Sequence, residues 1–96
     1  MKLENLTMVE TKAPNGVQAI IKFGPHYELS IVKSDFSYGG SQGLYEIAVF
    51  LDKEMIELPG VTQPGDTVRG YLSEDNINDI IDTMAQLTKR DPQQIN

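Results

Sequence analysis

The stretch Leu44 to Leu51, LYEIAVFL, constrains this chain more than any other. Its odd positions Tyr45, Ile47, Val49 and Leu51 are apolar or aromatic, and among its even positions only Glu46 is polar. A strand with apolar side chains on both faces needs cover on both faces. It is expected at the centre of a small sheet, with a helix over one face. The other cover is expected to be a second protomer, because Ile20, Val32, Ala48, Phe50 and Met55 would pool into an apolar patch of the kind that marks a partner surface.

Alternation places the remaining strands. Val17, Ala19, Ile21 and Phe23 point one way while Gln18 and Lys22 point the other, and Tyr27 to Ser34 alternates again after the Gly24-Pro25-His26 break. Two period-two runs with a three-residue break between them predict a hairpin. Shorter strands are expected at Met1–Thr11, Met55–Leu58 and Thr67–Leu72, separated by turns at Ala13–Gly16, Asp52–Glu54, Pro59–Gly60 and Gln63–Asp66.

The period then changes. Ile77, Ile80, Ile81, Met84 and Leu87 form the stripe of one helix, with Ser73 at its N-cap, Glu74 and Asp75 in its first turn, and Asp91-Pro92 ending it. Strands in succession followed by one helix predict an α+β fold: an antiparallel meander of four to five strands with a C-terminal amphipathic helix packed on one face. The 96 residues are expected to make a single domain, with a core from about 5 to 88 and a frayed tail over 89–96.

Charge and composition narrow the function classes. Eight basic against fourteen acidic residues give a net charge of -6, which disfavours nonspecific nucleic-acid binding and anionic membrane surfaces. The N-terminus lacks the apolar core of a signal peptide, and no run approaches a membrane span. There is no cysteine and one histidine, His26, placed in a turn, so a metal site and a histidine-based triad are not expected. No cofactor and no catalytic residue are expected. Lys22 and Lys33 are read as guards of sheet edges.

The most informative element for function is the glycine-rich loop Ser37 to Gly43, which runs straight into the apolar strand. Its N–H groups would form an anion-binding nest, Ser37 and Ser41 add hydroxyls, and Tyr38 and Tyr45 are placed to stack on a base. It is neither a Walker A loop nor a dinucleotide fingerprint, because a strand and not a helix follows the glycines. The structural alternative is a wide connection whose glycines take positive φ. The candidate binding residues are Phe36, Ser37, Tyr38, Gly39, Gly40, Ser41 and Tyr45. A β-branched residue at Gly40 is expected to abolish ligand binding and leave the fold intact. Asp75, Asp79 and Asp82 are spaced to lie together on the helix, which reads first as a solvated face; the sharper alternative is a second candidate surface, an acidic stripe that meets a basic partner.

Three segments together carry a resemblance: Phe36-Ser37-Tyr38-Gly39-Gly40, then Gly43-Leu44-Tyr45-Glu46-Ile47-Ala48-Val49, then Gly70-Tyr71-Leu72-Ser73-Glu74-Asp75 opening an apolar helix. Over about Val17 to Leu87 the chain resembles a group of small uncharacterised proteins of tailed bacteriophages and prophages. The resemblance implies no catalytic residues. It implies expression in the cytoplasm of an infected bacterium and an accessory role, of the kind in which small phage proteins bind and disable a host factor. The leading expectation is therefore a non-enzymatic protein that binds a host bacterial protein, with self-association. The alternative is a small-molecule binder that sequesters a nucleotide signal through the glycine loop.

Overall fold

The computed structural model describes Met1–Asn96. The fold is α+β, and its sheet is antiparallel throughout. The strands are β1 (Val9–Glu10), β2 (Val17–Phe23), β3 (Tyr27–Lys33), β4 (Tyr45–Leu51), β5 (Glu54–Ile56), β6 (Val68–Leu72) and β7 (Pro92–Gln94), with one helix, α1 (Glu74–Thr88).

The meander runs β1-β2-β3-β4-β5, and two further strands join it, β6 beside β4 and β7 beside β2. The registers explain how seven strands fit where four or five were expected. Along β4, Glu54–Ile56 pairs with Leu51 to Val49, and Val68–Leu72 takes over from Ala48 to Tyr45. Along β2, Pro92–Gln94 pairs with Phe23 to Ile21, and Val9–Glu10 pairs with Gln18 and Val17. Each outer edge is thus one composite strand made of two short collinear pieces. The sheet is five positions wide, flanking a full-length β2-β3-β4 centre.

Strand parity decides what is buried. Ala19, Ile21, Phe23, Leu29, Ile31, Ile47 and Val49 share one face and are buried, with exposures of 0–1 %. Ile77, Ile80, Ile81 and Met84 of α1 close over that face, joined by Leu3, Val61 and Leu72. Leu87, expected in the stripe, is 55% exposed, because the last helical turn overruns the core. At the other end the N-cap is as expected. The Ser73 hydroxyl accepts from the Asn76 N–H at 3.2 Å, and the Asn76 side chain accepts from the Ser73 N–H at 3.1 Å.

The opposite sheet face has no helix over it. Ile20, Val32, Ala48 and Phe50 on it are half-buried by their neighbours alone, and Met55, paired with Phe50, is exposed. The expected pooling of these side chains on one face holds.

Three local expectations need correction. Met1–Thr11 is not a strand: Leu3–Asn5 forms a 3-10 turn that buries Leu3, and only Val9–Glu10 pairs. Alternation there is poor, and Leu3 is held from the helix side by the Asn78 side chain accepting its N–H at 2.8 Å. The tail is not frayed. Pro92–Gln94 adds to β2, the Gln94 side-chain amide accepts from the Thr7 N–H and donates to the Thr7 carbonyl, and Asn96 does the same for Ile20 and Gln18. Side-chain amides imitate peptide groups and continue the ladder past the last paired residue. Lys22 and Lys33 guard no edge, since both lie on interior strands.

No helix is long and apolar enough to cross a membrane.

Candidate functional site

The candidate site forms where the glycine loop meets β6. Tyr45 pairs with Leu72 and Ile47 with Arg69, so Gly70 and Tyr71 together oppose Glu46. That is a β-bulge, which bends a strand and re-aims its side chains. Tyr71 takes φ 56, an uncommon conformation for a bulky residue. Its side chain stays largely in solvent, Tyr71 being 58% exposed.

The loop docks on the bulge backbone to backbone. The Tyr71 N–H donates to the Tyr38 carbonyl at 3.1 Å. A Cβ on Gly70 would overlap the Tyr38 side chain, and one on Gly39 would stand 2.9 Å from the Tyr71 Cα, with Gly39 itself at φ 89. Both glycines are there for close approach. The result presents Tyr38, 59% exposed, beside Tyr71.

A groove of about 220 Å³ runs between them, lined also by Gln63, Asp66 and Val68 and by part of Arg69. Asp66 Oδ1 accepts from the N–H groups of Thr67 and Val68 at 2.7 and 3.3 Å, which fixes that carboxylate at the groove's rim. Glu46 Oε1 receives the Tyr38 N–H at 3.4 Å. Its carboxyl is held above its ordinary value, chiefly by burial. The Tyr38 N–H pulls it down and the Asp66 charge pushes it up.

The sequence-predicted residues divide accordingly. Tyr38 and Gly39 belong to the site. Phe36 is 81% exposed at the loop's outer end, and Ser41 is exposed. Ser37 is structural: its hydroxyl donates to the Ser34 carbonyl and accepts the Ser34 N–H. Gly40 is structural too. A Cβ there would overlap the Ser34 carbonyl, so a β-branched substitution would disrupt the loop and would not spare the fold. Tyr45, expected to share base stacking with Tyr38, does not line the groove. It packs against the core, with Lys33 Nζ 5.0 Å from its ring centroid.

Most of the loop's N–H groups are spent internally, those of Gly39 and Ser41 excepted. Those of Phe36, Ser37, Gly40, Gln42 and Gly43 donate to loop oxygens, and that of Tyr38 to Glu46. An anion nest needs such donors turned outward. Asp75, Asp79 and Asp82 are exposed on α1, apart from the groove, and the chain's ion pairs lie elsewhere, at His26–Asp52 and Lys53–Glu28. Sequence reasoning missed Tyr71, and with it the groove residues Gln63, Asp66 and Gly70 and the neighbouring Glu46. The signal for Tyr71 was Gly70 inside a strand pattern, a mark of a bulge or a close backbone approach.

Fold and site together define a small α+β domain with an aromatic, bulge-borne groove at one sheet edge. No family model, curated protein or solved structure matches the chain.

Proposed function

We propose that this protein is a non-enzymatic binding protein whose working surface is the Tyr38–Tyr71 groove, and that it acts on a host bacterial protein in the cytoplasm as a phage-type accessory factor. The observation that carries the binding surface is Tyr71. An aromatic residue held at positive φ and left in solvent serves neither core packing nor strand pairing, and strain of this kind clusters at functional sites. Tyrosine is also among the side chains enriched at the few positions that carry most of an interface's binding energy. The phage context rests on the resemblance carried by the FSYGG, GLYEIAV and GYLSED segments.

Affinity capture from bacterial lysate with the tagged protein tests this function, using Tyr71→Gly as the control. The expected result is a discrete host protein in the wild-type capture and its loss in the variant. Repeated captures with nothing above background, or equal recovery by Tyr71→Gly, would sink it.

The proposal includes self-association through the uncovered sheet face. Glu28 there pairs with Lys53 at 2.7 Å and lies opposite Lys22 in the ladder. Glu46, opposite Val32, also lies on this face, so Glu28 and Glu46 are offset there by Lys22 and Lys53, and a second copy meets little repulsion despite the net charge of -6.

A further inference from the structure

The groove has a chemical bias. Its volume of about 220 Å³ is below the roughly 300–1,000 Å³ of pockets that enclose drug-sized ligands, so it suits one inserted side chain better than a nucleotide. Its lining offers two exposed tyrosines and an anchored carboxylate, with a second carboxylate, Glu46, bonded to the Tyr38 N–H. Both hydrogen bonds to Asp66 fall on Oδ1, and neither acid is in an ion pair.

Arg69 does not answer them. It lies opposite Ile47, which is buried under the helix, and directly paired residues share a sheet face. Its side chain therefore leaves β6 on the helix side, where Arg69 lines a separate cleft with Asn76, Asp79 and Thr83. The two acids also repel one another, since Asp66 raises the Glu46 carboxyl. A cation entering the groove would relieve that repulsion.

The geometry points to a recognition site for an arginine side chain of the partner protein, with the guanidinium stacked on Tyr38 and Tyr71 and paired to Asp66, and Glu46 adding negative charge behind it. Guanidinium suits the site better than ammonium because it is planar, weakly hydrated and able to stack and pair at once. This assignment names the partner chemistry of the binding function proposed above and rests on it.

Nuclear magnetic resonance on the isotopically labelled full chain tests it, with acetyl-Gly-Arg-Gly-amide as the probe. The citrulline counterpart, which keeps the shape and loses the charge, runs in parallel. The arginine peptide is expected to shift the amides of Tyr38, Asp66, Gly70 and Tyr71 with a dissociation constant on the order of millimolar. The citrulline peptide is expected to leave them in place. Asp66→Asn is expected to weaken binding about tenfold, the loss of one charge-assisted pair, with the spectrum away from the groove unchanged.

No saturable shift by ~10 mM peptide, equal shifts from citrulline, or indifference to Asp66→Asn would each overturn the assignment. Host-protein capture lost in Tyr71→Gly but indifferent to Asp66→Asn would overturn the arginine assignment alone. Capture indifferent to Tyr71→Gly would remove the binding surface and the assignment with it.

Discussion

At Tyr71 the chain adopts a conformation that its side chain opposes, and the consequence is measurable in the isolated protein. A non-glycine residue at positive φ costs about 1–3 kcal/mol. Tyr71→Gly should relieve most of that while adding some unfolded-state entropy. The expected outcome in urea unfolding is a variant more stable than wild type by about 1 kcal/mol. A loss of stability would show that the ring is part of the packing. Glu46 gives a second residue-scale outcome. Its folded-state carboxyl lies above the ordinary value of 4.5, mainly through burial, so the native state binds the proton more tightly than the unfolded state. Stability is therefore highest below 4.5 as far as this group is concerned, and falls as pH rises from there through the raised folded value. Glu46→Gln should flatten that part of the stability–pH curve and hold stability at neutral pH at or above wild type. A steeper fall in the variant would contradict it.

Among the elements, the well-patterned ones were legible, and the short strands β5 and β6 were placed between their turns, but β1 was only blurred into Met1–Thr11 and β7 was taken for a frayed tail. β2, β3, β4 and α1 each carry a full period of apolar positions, and Ser73 marks the helix start, so pattern alone finds them. β1 and β7 have two and three residues, and neither has an alternating face. β7 is set by tertiary pairing, with side-chain amides standing in for peptide groups, and no local propensity announces that. The bulge was missed for a related reason: Gly70 hints at a break, but only the register against Glu46 shows that Tyr71 changes direction. The site was half legible, as Tyr38 and Gly39 without their partner Tyr71. Gln94→Ala tests the tail directly. It deletes the bonds of 2.9 and 2.6 Å to Thr7 and should cost about 0.5–1.5 kcal/mol in thermal or urea unfolding. An unchanged midpoint would mean that the tail contributes nothing to the sheet.

For the whole molecule, the question is what covers the second sheet face. The two-sided apolar character of β4 showed in its sequence, and the chain itself supplies cover for one side. Sedimentation velocity of the purified protein is expected to show a concentration-dependent dimer, and Phe50→Lys to shift it to monomer with the fold intact. A wild type that stays monomeric at high concentration would remove self-association from the proposed function.

The composite edge of β5 and β6 has a further consequence, in terms of how such a surface could change over generations. Between Ile56 and Val68 the chain leaves the sheet and returns to the same line, one paired position further along β4. Outside the buried Val61 and Thr62, residues exchanged at the exposed tip of that excursion leave the paired positions of β4 untouched. Gln63 and Asp66, which line the groove, sit within it. The molecule therefore keeps its groove-lining side chains Gln63 and Asp66 outside the paired strands, and a library randomised at 63 and 66, with Gly65 kept for its φ of 80, would alter specificity at little cost to the sheet.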